Sequence, residues 1–421
     1  MMAAQARSRA LRPGHELLLY KGGERYFPGL IEAIAAARRE ILLETYIFDF
    51  SRSVLGVAQA LADAAQRGVR VRVVVDGVGT GLIPAEWRER WNAAGVEWRI
   101  FNPAQGWRLM LPKRWRRLHR KLCVVDAQIA FCGGINLLDD FYDVNYGELD
   151  EPRFDFSVRV TGPLVEDAYE TMVRLWSRLQ VSREARQHDV SGTVHALREA
   201  AAAGTDFADE GMKRRVANGA AAMPASGEGS LASLVLRDNF RFRRSIEGNY
   251  RLAIGLARSE IIIANAYFIP GVQLQRALLR AAGRGVKVTL LLQGRYEYFM
   301  QFYASRAVYR VMLDAGIRII EYEASFLHAK VAVMDAEGGA LATVGSSNLD
   351  PLSLLLAREA NLFIRDDAFT AELRGHLLEA IARGRVVQPD EHTRWPLAAR
   401  SLNWVAYAAM RLALFVSGRR Y

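Results

Sequence analysis

The sequence predicts an α/β fold: two tandem, similar sandwich domains that together assemble one anion site. Three observations predict it. A short motif of His, Lys and Asp occurs twice. The similarity between the two halves extends far beyond that motif. Within each half, amphipathic helical stretches alternate with short β-branched runs, the pattern of a mixed or parallel sheet covered on both faces.

The repeat can be followed element by element. Arg39–Phe48 resembles Ser259–Phe268, and each follows a helix-like stretch, Gly29–Arg38 and Tyr250–Arg258. Leu61–Gly77 resembles Leu278–Gly294, each ending in Arg-Gly-Val and a β-branched or leucine run. Ala94-Gly95-Val96 then matches Ala315-Gly316-Ile317. A repeat of this length is a duplicated domain, not a solenoid of short units. Between the halves, residues 186–230 are rich in Ala, Gly, Ser and charge, which reads as a linker. The expected organisation is a first domain over 13–185, the linker over 186–230, a second domain over 231–389 and an amphipathic tail over 390–421.

The motif is His119-x-Lys121-x4-Asp126 followed by Gly133-Gly134-Ile135-Asn136, and again His328-x-Lys330-x4-Asp335 followed by Gly345-Ser346-Ser347-Asn348. The first parts are offset by 209 residues and the second parts by 212, so the second copy carries three extra residues between them. At strand period His119 and Lys121 share one face and Arg120 points away; His328 and Lys330 do the same around Ala329. Asn136 and Asn348 close the hairpins that follow, and the preceding glycines permit close backbone approach to an anion. Two such halves would surround a phosphate with two ammoniums, two amides and two imidazoles. Cleaving a phosphodiester needs charge stabilisation, a nucleophile or base, and an acid for the departing oxygen, and imidazole serves either proton-transfer role near neutral pH. Each histidine also needs a carboxylate on its second nitrogen. Asp155 and Glu359, each entering an apolar run downstream of a motif, are the candidates; the alternative is a pair of solvent-facing strand-edge acids. Asp126 and Asp335 complete the motif and are grouped with its catalytic residues, as turn formers or as organisers of its geometry, their distance from Lys arguing against a direct chemical role.

Composition supports a polyanionic partner. The 421 residues carry a net charge of +10, and 51% are hydrophobic, which excludes a disordered chain. Six lysines stand against 50 arginines, yet both basic motif positions are Lys, which suggests a need for a compact ammonium. No apolar run is long enough to span a bilayer and no signal peptide is read. The two cysteines, Cys123 and Cys132, flank an expected turn near Ala127-Gln128. They read as reduced core thiols, able to face each other across a hairpin. No metal-ligand spacing accompanies the motifs, so the lysines are expected to replace a metal, with no cofactor.

The doubled motif resembles the signature of the phospholipase D superfamily. Residues 41–48, 119–136, 261–271 and 344–354 resemble the bacterial cardiolipin synthases within it. The resemblance implies two phospholipase D-like α/β sandwiches forming a pseudo-two-fold bilobal enzyme with one shared active site, and a phosphohistidine intermediate formed without metal. His119 would be the nucleophile and His328 the general acid/base. The implied reaction is phosphatidyl transfer from phosphatidylglycerol to a phosphatidylglycerol hydroxyl, with hydrolysis of lipid or nucleic acid as the alternative. The implied place is peripheral, on the cytoplasmic face of a bacterial inner membrane. Gly134 stands where many members have Ser.

Three further segments bear on the partner. Trp107–Arg117 interleaves basic residues with Trp107, Leu109, Met110 and Trp115. These suit an anionic membrane surface better than nucleic acid, because leucine and methionine do not stack on bases. Tyr296–Tyr303 is an aromatic run, either core or the wall of an acyl groove. The tail 402–416 is an interfacial anchor or a helix packed on the second domain. The stretch Gly77–Gly81 reads as a turn. His15, His188, His195, His376 and His392 have no partner pattern.

Overall fold

The computed structural model describes residues 11–103, 115–143, 145–186, 229–238, 242, 244–336, 338–350, 357–389 and 401–409. Most of the expected linker, together with Trp107, Leu109 and Met110, lies outside the described residues.

The strands of the first half are β1 (Arg12–Lys21), β2 (Glu40–Thr45), β3 (Arg70–Asp76), β4 (Glu97–Phe101), β5 (Arg117–Leu118), β6 (Lys121–Val125), β7 (Ile129–Gly133), β8 (Tyr142–Asp143), β9 (Gly147–Glu148) and β10 (Phe156–Thr161). Those of the second half are β11 (Ser230–Arg237), β12 (Ala257–Asn265), β13 (Lys287–Gln293), β14 (Arg318–Tyr322), β15 (Lys330–Ala336), β16 (Gly339–Gly345), β17 (Ala357–Arg365) and β18 (Arg385–Val386).

All but the small β8–β9 ribbon join one 16-stranded sheet, in the order β18-β14-β13-β12-β15-β16-β17-β11-β1-β10-β7-β6-β2-β3-β4, with β5 added beside β17. Outward from the β11–β1 junction the two halves run in matching order, β1 with β11, β10 with β17, β6 with β15, β2 with β12. The duplication seen in the sequence is thus a duplication of topology. β2, β3 and β4 pair in parallel, as do β12, β13 and β14, because helices cross between them. The motif strands are antiparallel hairpins, β6–β7 and β15–β16.

At the junction β1 and β11 pair antiparallel with a register irregularity between Arg12 and His15. His15 is buried there. Its Nδ1 donates to the Ser230 carbonyl at 3.2 Å and its Nε2 accepts from the Leu164 N–H at 3.1 Å. Burial holds its pKa below the ordinary value, which suits the neutral tautomer those two bonds require.

Side-chain alternation splits the core into layers. In β2, Leu42 faces a central core while Ile41 and Leu43 face an outer one beneath the helices Gly23–Ala36 and Leu55–Gln66. In β12, Ile262 and Ala264 face the same central core, and Ile261 and Ile263 pack under Ser245–Leu256 and Val272–Gly283. The central core is therefore built from both halves. The helices Leu164–Arg186 and Asp367–Ala382 contribute Met172, Leu373 and Leu377 to it. The strand period also corrects one expectation. Cys123 pairs with Phe131 and Leu122 with Cys132, so the thiols lie on opposite faces of the sheet, Cys132 in the central core and Cys123 in the outer one. Both are free and buried, and burial pushes each thiol up to about 12.

The motif aspartates belong to this scaffold, and grouping them with the catalytic residues needs correcting. Asp126 and Ala127 form the β6–β7 turn with φ of 51° and 55°, the left-handed pair of a type I′ turn. The Asp126 carboxylate accepts from the backbone N–H groups of Arg38, Arg39 and Glu40 at 2.8, 2.8 and 2.9 Å. Asp335 accepts from Arg258, Ser259 and Glu260 N–H at 3.3, 2.7 and 2.8 Å, and from the Ser259 hydroxyl. Each carboxylate thus pins the start of the neighbouring strand, β2 or β12, at the strand end remote from the His-x-Lys pair. Asp126→Asn and Asp335→Asn should each lower stability by about 1–2 kcal/mol in urea denaturation while the folded protein keeps its turnover. Unchanged stability with lost turnover would return these residues to the chemistry.

Candidate active site

The two His-x-Lys pairs start equivalent strands, β6 and β15, and meet across the molecular pseudo-two-fold. What holds them is a crossed arrangement. β5, just before His119, pairs in parallel with β17 of the other half, and the His119 N–H donates to the Arg358 carbonyl at 3.0 Å. In the mirror position, Phe154 bridges Leu327, and the His328 N–H donates to the Phe154 carbonyl at 3.0 Å. Each histidine is thereby set beside a carboxylate of the opposite half. His119 Nδ1 lies 3.1 Å from Glu359 Oε2 and 3.0 Å from Oε1. His328 Nδ1 lies 2.6 Å from Asp155 Oδ2. Asp155 and Glu359 are both buried, so the solvent-facing alternative does not hold for either.

The tautomers follow from these contacts. His119 Nδ1 faces acceptors only, Glu359 and the Ser346 carbonyl at 3.2 Å. It therefore carries the hydrogen, and Nε2 keeps its lone pair for the pocket. The two imidazoles retain modest exposure, 14% and 19% of their side-chain surface, where a substrate could reach them.

The lysines are fully enclosed. Lys121 Nζ donates to the His119 carbonyl at 2.8 Å, and Lys330 Nζ donates to the His328 carbonyl. Each ammonium is thus folded back onto its own motif. Tyr46 lines the first-half side, with its ring centroid 4.9 Å from that of His119 and 5.5 Å from Lys121 Nζ. Arg120 points to the opposite face, as the strand period predicts, and forms a buried ion pair with Glu44, with Nη2 to Oε1 at 3.0 Å. Asn136 and Asn348 are buried at the hairpin ends, and Asn136 Oδ1 accepts from the Ile47 N–H at 3.3 Å.

The two halves are not identical at the carboxylates. Ser346 Oγ donates to Glu359 Oε2 at 2.5 Å. The equivalent position is Gly134, where an added Cβ would stand 2.3 Å from Asp155 Oδ1. A long Glu leaves room for a serine hydroxyl, and a short Asp requires glycine. The hydroxyl that glycine removes would therefore have met a carboxylate, not the phosphate side. The sequence showed the Gly/Ser difference but carried no sign of its partner. Asp76 was missed altogether. It lies buried at the end of β3 and accepts from the Leu118, Val78 and Gly79 N–H groups at 2.7, 2.8 and 3.2 Å, with Arg117 Nη1 at 3.2 Å. It thus ties the Gly77–Gly81 turn to the strand that delivers His119. Trp115 is half-buried, two residues before that strand.

Burial and like charge set the electrostatics. Burial, reinforced by Lys330, lowers Lys121 to about 7; burial lowers Lys330 to about 8. His119 is lowered by burial against the pull of Glu359, and His328 is lowered well below its ordinary value by burial and then by the two lysines. Burial raises Asp155 to about 7 although Lys330 opposes it. The site is a buried cluster that penalises its positive charges, and a bound anion offsets that penalty. Anion affinity should accordingly fall as pH rises from about 6 to about 9, because in that window the lysines, at about 7 and about 8, lose their charge and Asp155, at about 7, gains one. Tungstate, a dianion throughout, should lose about tenfold or more as a competitive inhibitor. Flat or rising affinity would contradict this electrostatic description.

Two topologically matched α/β halves whose His-x-Lys pairs meet between them, each beside a carboxylate of the other half, define a phospholipase D-like protein. The sequence family described as cardiolipin synthase, PLD-like domain, matches residues 30–147 and 250–381. Cardiolipin synthase B of Escherichia coli (strain K12) is 36% identical over 381 residues, covering 88% of this chain and 81% of that protein. Cardiolipin synthase A of Proteus mirabilis (strain HI4320) is 28% identical over 398 residues, covering 94% and 75%. Among solved structures, the phosphatidylserine synthase of Haemophilus influenzae Rd KW20 superposes with a TM-score of 0.66 over 98% of each chain at 13% identity, a likeness of fold. The chain belongs to the PLD-like cardiolipin synthase family.

Proposed function

We propose that this protein is a cardiolipin synthase that moves a phosphatidyl group from one phosphatidylglycerol to the hydroxyl of another and releases glycerol. The observation that carries the reading is the crossed pair of His–carboxylate contacts over two buried lysines, in a chain similar throughout to cardiolipin synthases A and B. In the first step His119 Nε2 attacks phosphorus, the bond from phosphorus to the glycerol oxygen breaks, and His328 gives that oxygen a proton. In the second step the acceptor hydroxyl gives its proton back to His328, its oxygen attacks phosphorus, and the phosphorus–nitrogen bond to His119 breaks.

The asymmetry between the halves supports this division of roles. Glu359 already accepts a hydrogen bond from Ser346, so it serves as a fixed acceptor for the His119 Nδ1–H and leaves Nε2 nucleophilic. Asp155 lacks that hydroxyl, and its carboxyl lies near 7, so the His328–Asp155 pair is the one suited to hold and release a proton near neutral pH. Entry of the anionic phosphodiester between Lys121 and Lys330 offsets the repulsion that keeps His328 neutral. Lys121, Lys330, Asn136 and Asn348 would hold the phosphate oxygens.

Among the described residues no group of three or more His, Cys, Asp and Glu side chains is placed to hold a metal ion. In this reading the two ammoniums supply the charge stabilisation. Access to lipid is proposed to be peripheral. No described helix is long and apolar enough to cross a membrane. The helix Phe299–Arg306 leaves Phe299 exposed beside exposed Tyr296 and Tyr298, while Met300 and Tyr303 pack inward. The helical residues 401–409 bury Ala406 against Ile269 and Ala304 and expose Trp404 and Val405. The aromatic run and the tail therefore each pack one side and offer another, as interfacial segments do.

The test uses purified protein with labelled phosphatidylglycerol vesicles and lipid mass spectrometry. Cardiolipin and glycerol should form, with or without chelator. Phosphatidic acid as the sole product would make the protein a hydrolase, and chelator-sensitive turnover would contradict a metal-free reaction. A labelled phosphatidyl adduct should accumulate in His328→Ala and be absent from His119→Ala; the reverse pattern would exchange the two roles.

A further inference from the structure

A carboxylate outside the motifs stands at the mouth of the site on the His328 side. Glu297 follows β13, in the segment Arg295–Tyr298. That segment is tied to the loop leading into His328. Arg295 donates to the Glu323 and Ala324 carbonyls at 2.7 and 2.9 Å, and Gln293 Oε1 accepts from the Leu327 N–H at 3.2 Å. Tyr146 locks it from the first half, its hydroxyl donating to the Tyr296 carbonyl at 2.6 Å and its ring packed on Phe326 with centroids 5.2 Å apart.

Tyr267 reaches Glu297 from the catalytic strand pair. Asn265 is the register partner of Lys330, and the Ala266 N–H donates to the Ala329 carbonyl at 3.1 Å, so Tyr267 emerges directly beside the second His-x-Lys motif. Its hydroxyl donates to Glu297 Oε2 at 2.6 Å, and its ring meets Tyr298 with centroids 6.1 Å apart. Among the described residues no Lys or Arg lies within ion-pair distance of Glu297. The nearby Arg153 is instead bound to Asp143 at 2.7 Å. Burial raises the Glu297 carboxyl, and Lys330 and Arg153 act on it only from farther off.

Such a group is poorly placed to hold phosphate, because two anions repel. It is well placed to accept hydrogen bonds from hydroxyls, with one oxygen fixed by a phenol and aromatic faces beside it for a carbon chain. We propose that Glu297, oriented by Tyr267, is the subsite for the hydroxyl-bearing headgroup, accepting from a free hydroxyl adjacent to the reacting oxygen of a glycerol moiety, with that reacting oxygen facing His328. This deepens the synthase reading and rests on it. The donor's glycerol would occupy the subsite as it leaves, and the acceptor's glycerol as it enters. Glu297 is then a specificity residue, raising the share of the intermediate taken by a polyol over that taken by water.

The test is a partition experiment, which reads ratios within one protein and is insensitive to how much of it is active. Full-length protein is given labelled phosphatidylglycerol vesicles with either glycerol or ethanol as added acceptor. Transfer product is then measured against phosphatidic acid. In Glu297→Gln the glycerol-to-water ratio should fall about tenfold, while the ethanol-to-water ratio changes less than about twofold. Tyr267→Phe should lower the glycerol ratio in the same direction by a smaller factor. If the wild-type protein transfers to glycerol and Glu297→Gln leaves both ratios unchanged, or lowers both equally, the subsite is refuted and the synthase reading stands. If the wild-type protein makes phosphatidic acid alone, both are refuted.

Discussion

The structure depends on the exchange of carboxylates across the pseudo-two-fold. His119 of the first half is oriented by Glu359 of the second, and His328 of the second by Asp155 of the first. Neither half holds both members of a His–carboxylate pair. Each carboxylate is buried, and a buried acid without a partner is costly, so the facing histidine satisfies a folding requirement as well as a chemical one. The short β5–β17 pairing and the Phe154–Leu327 bridge carry this exchange in the backbone. The central core built from both halves holds it rigid, so assembling the site and docking the halves are one event.

The lysines explain why the site has to be enclosed. Burial in a low dielectric dominates: it lowers the lysines to about 7 and about 8 and holds both histidines below their ordinary value, with lysine repulsion adding to it at Lys121 and His328. A phosphodiester between the lysines offsets that penalty. An anion placed between the lysines also favours protonation of the imidazoles beside it, so ligand charge and site protonation are coupled.

Much of this was legible in the sequence, for physical reasons. A strand period of two placed His119 with Lys121 and His328 with Lys330, and turned Arg120 to the other face, where it pairs with Glu44. Asp155 and Glu359 stood out because an acid entering an apolar run must have a partner. The crossing of partners between halves could not be read, because nothing local specifies which histidine a distant carboxylate meets. The cysteines show the opposite limit. Their nearness in sequence suggested facing thiols, and a register offset of one residue put them on opposite faces. Asp126 and Asp335 share a motif with the His-x-Lys pairs, but their spacing already argued against a direct chemical role; what it could not show is that each carboxylate binds the backbone at the start of a neighbouring strand. Glu297 left no trace at all, since its role is set by a loop packed beside a strand 33 residues downstream in the sequence, where Lys330 begins β15.

A structure of the protein with bound tungstate tests the shared site most directly. One anion per chain is expected, lying between Lys121 and Lys330 and approached by Nε2 of both His119 and His328. Two anions, one against each His-x-Lys pair, would show that each half carries its own phosphate site and would contradict the account.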